Sequence, residues 1–570
     1  MKFTYNLKSI GLTLLFAGAT LSCSDQLDVE NPNQPSSAAI KTESGLISFG
    51  LGIYKSGFLG GTNLGIKYYD GVPGHFWSGA IGNHELMADV IGTDIANIFI
   101  NQIGCPDQIT LDNGAVLLNP NSPNKQVSFI RITSNLNSTA GQNSLYFEWA
   151  YMYSLNNAAN TILSLVDEVE FTGDVDTKKA VLKVWARWWK GFAYSRIGSM
   201  YYAGLIVDEP NGEVINGTNG DYVSKDAMIV EANRNLDEAA SILSGLTQNA
   251  DYTATLTGLI PSFNLVGKGG ILSPPMWIRS INTLKARNLL MNTRVNAMAT
   301  AQWDQILALT AEGVTGADLV FTGRSNGTGD FLDPNNGTVS AKSTGPNDTY
   351  KVTERLIQDF KGGELTEDLR FKNNIRIRMN TAGTTVTPYI GEVSRGNSFF
   401  TRWELINRGT TPGSTSVIQW SNENAGGYEL FMASSYEENA LMRAEAMIYK
   451  GSIDEGLTLI DQVRTAQGAG LAAVSGTGLT QEQAIAELKS ERRIGLVFRA
   501  LSYYDARRWG ILDPVSTGGG RTGAVALDRT GAIFRNATIE YNYMDYWDVP
   551  DNELAYNPPA EGSAPTSNPR

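Results

Sequence analysis

Long amphipathic stripes narrow the folds open to this chain more than any other feature. Between residues 146 and 169, Trp149, Met152, Leu155, Ala159, Ile162, Leu163 and Val166 recur at steps of three and four, which places them on one face of a helix. Residues 177–203 repeat the pattern through Leu182, Trp185, Trp189, Phe192 and Ala193, and shorter versions fill 225–246, 281–298 and 300–312. Later in the chain, Tyr436, Ala440, Leu441, Ala444, Met447 and Ile448 mark a helix that stops at Gly451, a residue free to take the left-handed cap conformation. Ser452 and Glu455 read as a capping box for a further helix through Leu457, Ile460 and Val463.

Two helices joined by so short a turn pack antiparallel, and small Ala440 and Ala444 permit close approach. This is the manner of tetratricopeptide-type helix pairs, although no strict period of about 34 residues recurs. A third helix is predicted to open at Thr480, with Gln483 completing a second capping box, and to continue to Gly510. Between the helices lie stretches rich in Gly, Asn, Thr and Pro, at 104–145, 204–224, 249–280, 313–350, 373–432 and 511–570. Loops this long in a compact protein are usually functional surfaces. TVTPYI and TSVIQW are candidate short strands. The expected fold is mainly α, a platform of helix pairs carrying a large loop-rich layer with a few short strands.

Composition removes several functions. Against 45 Lys+Arg stand 58 Asp+Glu, a net charge of −13 over 570 residues, which phosphate backbones and anionic headgroups would repel. With two cysteines and two histidines, His75 and His84, a disulfide framework, zinc catalysis and a Ser-His-Asp triad have little to draw on. No cofactor is expected. His84, Glu85 and Asp89 fall near one helical face, but with Asp70, His75 and Asp94 they match neither a zinc motif nor a calcium loop. The Gly60-Gly61 and Gly518 to Gly520 runs lack the lysine of a phosphate-binding loop.

Residues 1–22 read as a secretory signal: Lys2 and Lys8 are followed by an apolar run from Ile10 to Leu21. That run falls short of the roughly 20 residues needed to span a bilayer. Thr20-Leu21-Ser22 before Cys23 resembles the cleavage site of a bacterial lipoprotein, making Cys23 the lipidated residue. Several acyl chains there would hold the protein on a membrane without a spanning helix. The acidic start Ser24, Asp25, Asp28 and Glu30 resembles the export tag of surface lipoproteins in Bacteroidota. Residues 23–37 are then a tether and 38–570 a single domain. Cys105 is left as a buried thiol.

Four motifs in order carry a family resemblance. SYEENALMRAEAMIYKGSIDEGLTLIDQVRTAQG, SERRIGLVFRALSYYDARRWG, YWDVPDNELAYNP and the earlier VWARWWKGFAYSRIGSMYYAGLIVDE resemble segments of the SusD/RagB family, and DQLDVENPNQ after Cys23 fits its mature start. Gly495 and Arg499 stand where that family commonly has glutamates, Ala500 where it has glycine, and Ser502 where it has arginine, so the charge pairing there must be rewired. The resemblance implies a SusD-like fold and a non-catalytic outer-membrane lipoprotein on the extracellular side. It further implies a protein that binds a nutrient oligomer, a glycan before a peptide, and passes it to a SusC-like TonB-dependent transporter. A surface glycoside hydrolase, which needs two suitably spaced carboxylates, is the alternative from another class.

Sugar recognition favours flat aromatic faces with amides, carboxylates or arginines beside them. The segment KYYDGVPGHFWSGAIGNHE supplies Tyr68, Tyr69, Asp70, His75, Phe76 and Trp77. Trp277 lies in SPPMWIRS, and Phe399, Phe400, Arg402 and Trp403 in a Gly/Thr-rich region with Trp420 nearby. The candidate ligand-binding residues are Tyr69, Asp70, His75, Trp77, Trp277, Arg402 and Trp403. Trp185, Trp188 and Trp189 follow a helix stripe and read as core. Glu491, Arg492, Arg493, Asp505, Arg507 and Arg508 read as charge pairs on a long helix, not as a catalytic cluster.

Overall fold

A computed structural model of the chain describes residues 37–56, 81–93, 98–119, 125–210, 220–265, 267–324, 350–391, 400–405 and 429–569. The longer helices are α1 (Glu43–Ser56), α2 (Ser144–Leu165), α3 (Val175–Met200), α4 (Lys225–Ser244), α5 (Ala250–Leu259), α6 (Pro274–Met291), α7 (Thr300–Ala311), α8 (Tyr436–Tyr449), α9 (Ile453–Ala466), α10 (Gln481–Gly495) and α11 (Ser502–Arg508). Consecutive members pack on one another, α2 on α3, α3 on α4, α7 on α8 and α8 on α9, with α6 bridging α4 to α7. The expected helical platform is therefore present. Among the described residues the strands are two or three residues long, apart from two longer ones in a four-stranded antiparallel sheet.

Helix α3 sits at the centre. From Val184 to Met200 nearly every residue is buried, the pattern of a helix surrounded by protein rather than lying on a surface. Glycines let α4 approach: a Cβ at Gly191 would come within 2.6 Å of Leu236, and one at Gly198 within 2.8 Å of the Lys225 carbonyl oxygen. Trp185, Trp188 and Trp189 are completely buried. They form, with Tyr54, Phe192, Trp277 and Phe321, a cluster of edge-to-face and stacked rings.

Capping follows the sequence in some places and departs from it in others. Gly451 has φ +91°, as the helix stop requires. Thr480 and Gln483 form the expected reciprocal capping box, and Thr480→Ala is expected to cost about 1 kcal/mol in urea-induced unfolding. Ser452, by contrast, makes no side-chain cap bond. The helix foreseen from Thr480 to Gly510 is two helices, since α10 ends at Gly495 and α11 starts at Ser502. Phe498 (φ +60°) and Ala500 (φ +55°) turn the chain between them. The position where glycine was the familial expectation is thus one whose backbone favours glycine.

The long low-complexity stretches hold more regular structure than their composition suggests. Residues 249–280 contain α5 and the start of α6, and α1 precedes the predicted platform. Strands β1 (Gln108–Thr110), β2 (Val116–Leu118), β3 (Arg521–Leu527) and β4 (Ile533–Glu540) form an antiparallel sheet in the order β3-β4-β1-β2. It joins two segments far apart in sequence. TVTPYI contributes only Tyr389–Ile390 as strand, and TSVIQW lies outside the described residues. Cys105 is buried, its Sγ 3.7 Å from the Pro106 carbonyl oxygen.

Candidate functional site

The sequence candidates separate into those on 57–80 and those in the described body. Tyr69, Asp70, His75 and Trp77 lie outside the described residues, as does Cys23. Trp277 is not a loop aromatic. Ser273 caps α6 by accepting the Met276 N–H, with proline at its first turn, and this turns the Trp277 ring into the core. There it is 0% exposed, with centroids 5.1 Å from Phe321 and 6.2 Å from Trp185. It offers no face to a ligand.

Arg402 and Trp403 are also committed within the protein. The Arg402 Nε and Nη2 donate to Glu354 at 3.1 and 2.8 Å, and its Nη2 also lies 2.9 Å from Glu364. Trp403 donates its Nε1–H to the same Glu354 at 3.0 Å and packs edge-to-face on Phe371. Both residues are under one-tenth exposed, so they hold the loop layer together instead of presenting it. Glu354, which joins them, had no signal in the sequence beyond following Thr353, the cap of a short helix.

Of the carboxylates that resembled a catalytic or metal set, Asp70 and Asp94 lie outside the described residues, and the described ones are spent on arginines and backbone. His84 is fully buried, and burial lowers its pKa, so it is a neutral imidazole 2.9 Å from Glu148. Burial alone would raise the Glu148 carboxyl, but Arg196, at 2.5 Å, and His84 outweigh it and hold it low. Asp89 makes a two-pronged pair with Arg355, 2.7 Å at each contact, and accepts from the Tyr541 hydroxyl. Glu491 takes Arg370 at 2.5 Å and Arg464 at 2.8 Å, which overcome burial and keep it ionised. Among the described residues no group of three or more His, Cys, Asp or Glu is placed to hold a metal ion, and no helix is long and apolar enough to cross a membrane.

What the structure does assemble is a frame of short strand pairs. Two groups of short strands stand apart in the chain. In one, Thr322–Arg324 pairs with Glu429–Phe431, and the Tyr54 hydroxyl near the end of α1 donates to the Thr322 carbonyl. In the other, Ile91–Thr93 pairs with Tyr350–Val352, Tyr389–Ile390 with Phe400–Thr401, and Ile375–Ile377 with Trp403–Leu405, while the Thr401 hydroxyl donates to the Val352 carbonyl at 2.9 Å. Segments 57–80, 325–349 and 406–428 each have one flank in the first group. Each has its other flank in the second, 57–80 by way of the short helix Ile81–Met87. Three separate stretches therefore share both endpoints, and Tyr69, Asp70, His75 and Trp77 belong to one of them.

The architecture is SusD-like. It is similar to a SusD-like carbohydrate binding protein from Bacteroides vulgatus, with 13% identity, 92% of this chain and 98% of that one covered, and a TM-score of 0.51. It is also similar to a SusD homolog from Bacteroides thetaiotaomicron (13% identity, 91% and 96% covered, TM-score 0.52). A SusD superfamily protein from Bacteroides vulgatus gives 14% identity, 82% and 88% covered, and a TM-score of 0.50. At these identities the likeness is one of fold. No curated protein matches the chain. Residues 322–561 match the model of the SusD family.

Proposed function

We propose that the protein is a non-catalytic, cell-surface lipoprotein, anchored through Cys23, that binds a nutrient glycan and delivers it to a SusC-like TonB-dependent outer-membrane transporter. The observation that carries this reading is the frame described above. Three segments have their described flanks in the same two strand groups, and the composition of one of them, with Tyr68, Tyr69, His75, Phe76 and Trp77, suits stacking on a sugar. Support also comes from a protein of the same fold that is described as carbohydrate binding. A mostly preformed site with aromatic faces suits a neutral sugar, which loses little solvation against a ring.

Affinity electrophoresis through gels containing a panel of neutral polysaccharides tests the proposal. Retardation by at least one glycan, without depolymerisation, is the expected result, and Trp77→Ala should weaken it about tenfold, the loss of one stacking contact. Turnover abolished by a single Asp or Glu substitution would instead identify a hydrolase. Metabolic labelling with palmitate, lost in Cys23→Ala, checks the anchor.

A further inference from the structure

A second candidate site lies where the end of α3, the start of α4 and the last described residues meet. Strand Ala203–Leu205 pairs with Tyr222–Ser224, and the Gly220 carbonyl accepts from the Ala560 N–H and the Ser563 hydroxyl. Five residues beyond Ser563, Asn568 is 3% exposed. Its N–H donates to Asp548 at 2.7 Å, its Nδ2 donates to Asp545 at 2.8 Å and to the Tyr546 carbonyl at 2.6 Å, and its own carbonyl accepts from Arg131. The chain between these two anchors, Ala564, Pro565 and Thr566, forms one wall of a cavity of about 310 Å³. Tyr202, Tyr222, Lys225 and Asp226 line the rest together with Ala203, Val223 and Ser224.

We propose that this strapped cavity is a second ligand site that takes one neutral, polyhydroxylated ring, a single sugar unit; this rests on the glycan-binding reading above. Its volume lies at the lower end of the range for ligand pockets, roughly 300–1,000 Å³, which limits it to a small guest. The Tyr202 ring is partly exposed and packs edge-to-face on Tyr546. The Tyr202 hydroxyl has no partner among the described residues. Tyr222 gives only its ring, because its hydroxyl is already bonded to the Asn557 carbonyl at 2.9 Å.

The polar groups set the charge of the guest. Lys225 Nζ sits 2.6 Å from Asp226 and 4.8 Å from the Tyr546 ring centroid. Among the described lining residues the one cation is thus balanced by its neighbour, which leaves no excess positive charge for a phosphate or carboxylate. The pair still offers donors and acceptors to hydroxyl groups, with the Tyr202 and Thr566 hydroxyls beside it. Because the strap is fixed at both ends, the cavity exists before binding, and less ordering is lost when a ligand enters.

The test uses the full chain and methyl glycosides of glucose, galactose and mannose, read by saturation-transfer NMR, with methyl phosphate and acetate as charged controls. At least one glycoside should bind, and the charged probes should not. Tyr202→Ala removes the stacking face, and Thr566→Trp fills the cavity from an exposed strap position; each should weaken binding about tenfold or more. An unchanged unfolding midpoint in Thr566→Trp shows that the strap change leaves the body intact. Glycoside binding that both variants leave unaltered would overturn this site while leaving the glycan reading standing. So would retardation by a polysaccharide with no glycoside response, or preference for the charged probes. A protein that no glycan retards would overturn the functional reading itself.

Discussion

Glu445→Ala is expected to lower the free energy of unfolding by about 3–5 kcal/mol, because it strands a buried guanidinium. Arg508 donates Nη1 and Nη2 to the two Glu445 oxygens at 2.5 and 2.6 Å and Nε to Asp505 at 2.7 Å, while Arg492 Nε reaches the other Asp505 oxygen at 2.9 Å. All four side chains are at most 1% exposed. In the intact protein two arginines face two carboxylates. Removing Glu445 leaves Asp505 to serve both cations, with one positive charge uncompensated in a buried site. The pair ties α8 to α11 across the break after α10, so the damage should be read throughout the platform. Urea unfolding of Glu445→Ala and of the double variant Glu445→Leu/Arg508→Met separates charge from packing. Apolar replacement of both partners is expected to recover most of the loss, since a buried ion pair gives little net stability over well-packed apolar groups. A double variant as unstable as the single one would show that shape, not uncompensated charge, is what Glu445 supplies.

The same network shows where sequence reading reaches its limit. Helix stripes, the Gly451 stop and the Thr480–Gln483 box depend on neighbours three or four residues away, and each is legible. The break between α10 and α11 is not. SERRIGLVFRALSYYDARRWG keeps helical spacing through to Gly510, and what ends the helix is a set of contacts from distant residues: Glu85, over 400 positions earlier, accepts the Ala500 N–H, and Arg499 donates to Ser435 and Glu437. Trp277 is a different kind of miss. Ser273 followed by two prolines is a helix-start signature, so its place on a buried helical stripe could have been read from the residues alone. Arg402 and Trp403 could not, because their partner Glu354 lies in a segment with no periodic tie to them. The early aromatic segment, singled out by its composition, lies outside the described residues. The frame that gives it common endpoints with 325–349 and 406–428 depends on strand pairs of two or three residues, too short to leave a pattern of their own.

Glu85 gives the second large effect, one that depends on pH. The side chain is 0% exposed. Burial pushes its carboxyl up from 4.5 to about 7, against the pull of the Ala500 and Phe498 backbone amides and the Arg493 charge. In the unfolded chain the group releases its proton near pH 4.5, whereas in the fold it keeps the proton until about pH 7. Through that window the folded state binds the proton more tightly, so raising the pH favours unfolding, and the loss levels off above pH 7. A shift of this size corresponds to about 3 kcal/mol of stability lost between pH 4.5 and 7. In Glu85→Gln the amide carbonyl can still accept the Ala500 N–H, but nothing at this position titrates. Every other group contributes equally to both proteins, so the difference between their pH 5 to pH 8 changes isolates Glu85. The wild-type chain is expected to lose about 2–3 kcal/mol more over that interval than Glu85→Gln. Parallel curves would mean that the carboxylate stays charged in the fold, held by the two turn amides and Arg493, and that the left-handed turn at Phe498 and Ala500 is anchored by an anion at all pH values above 5.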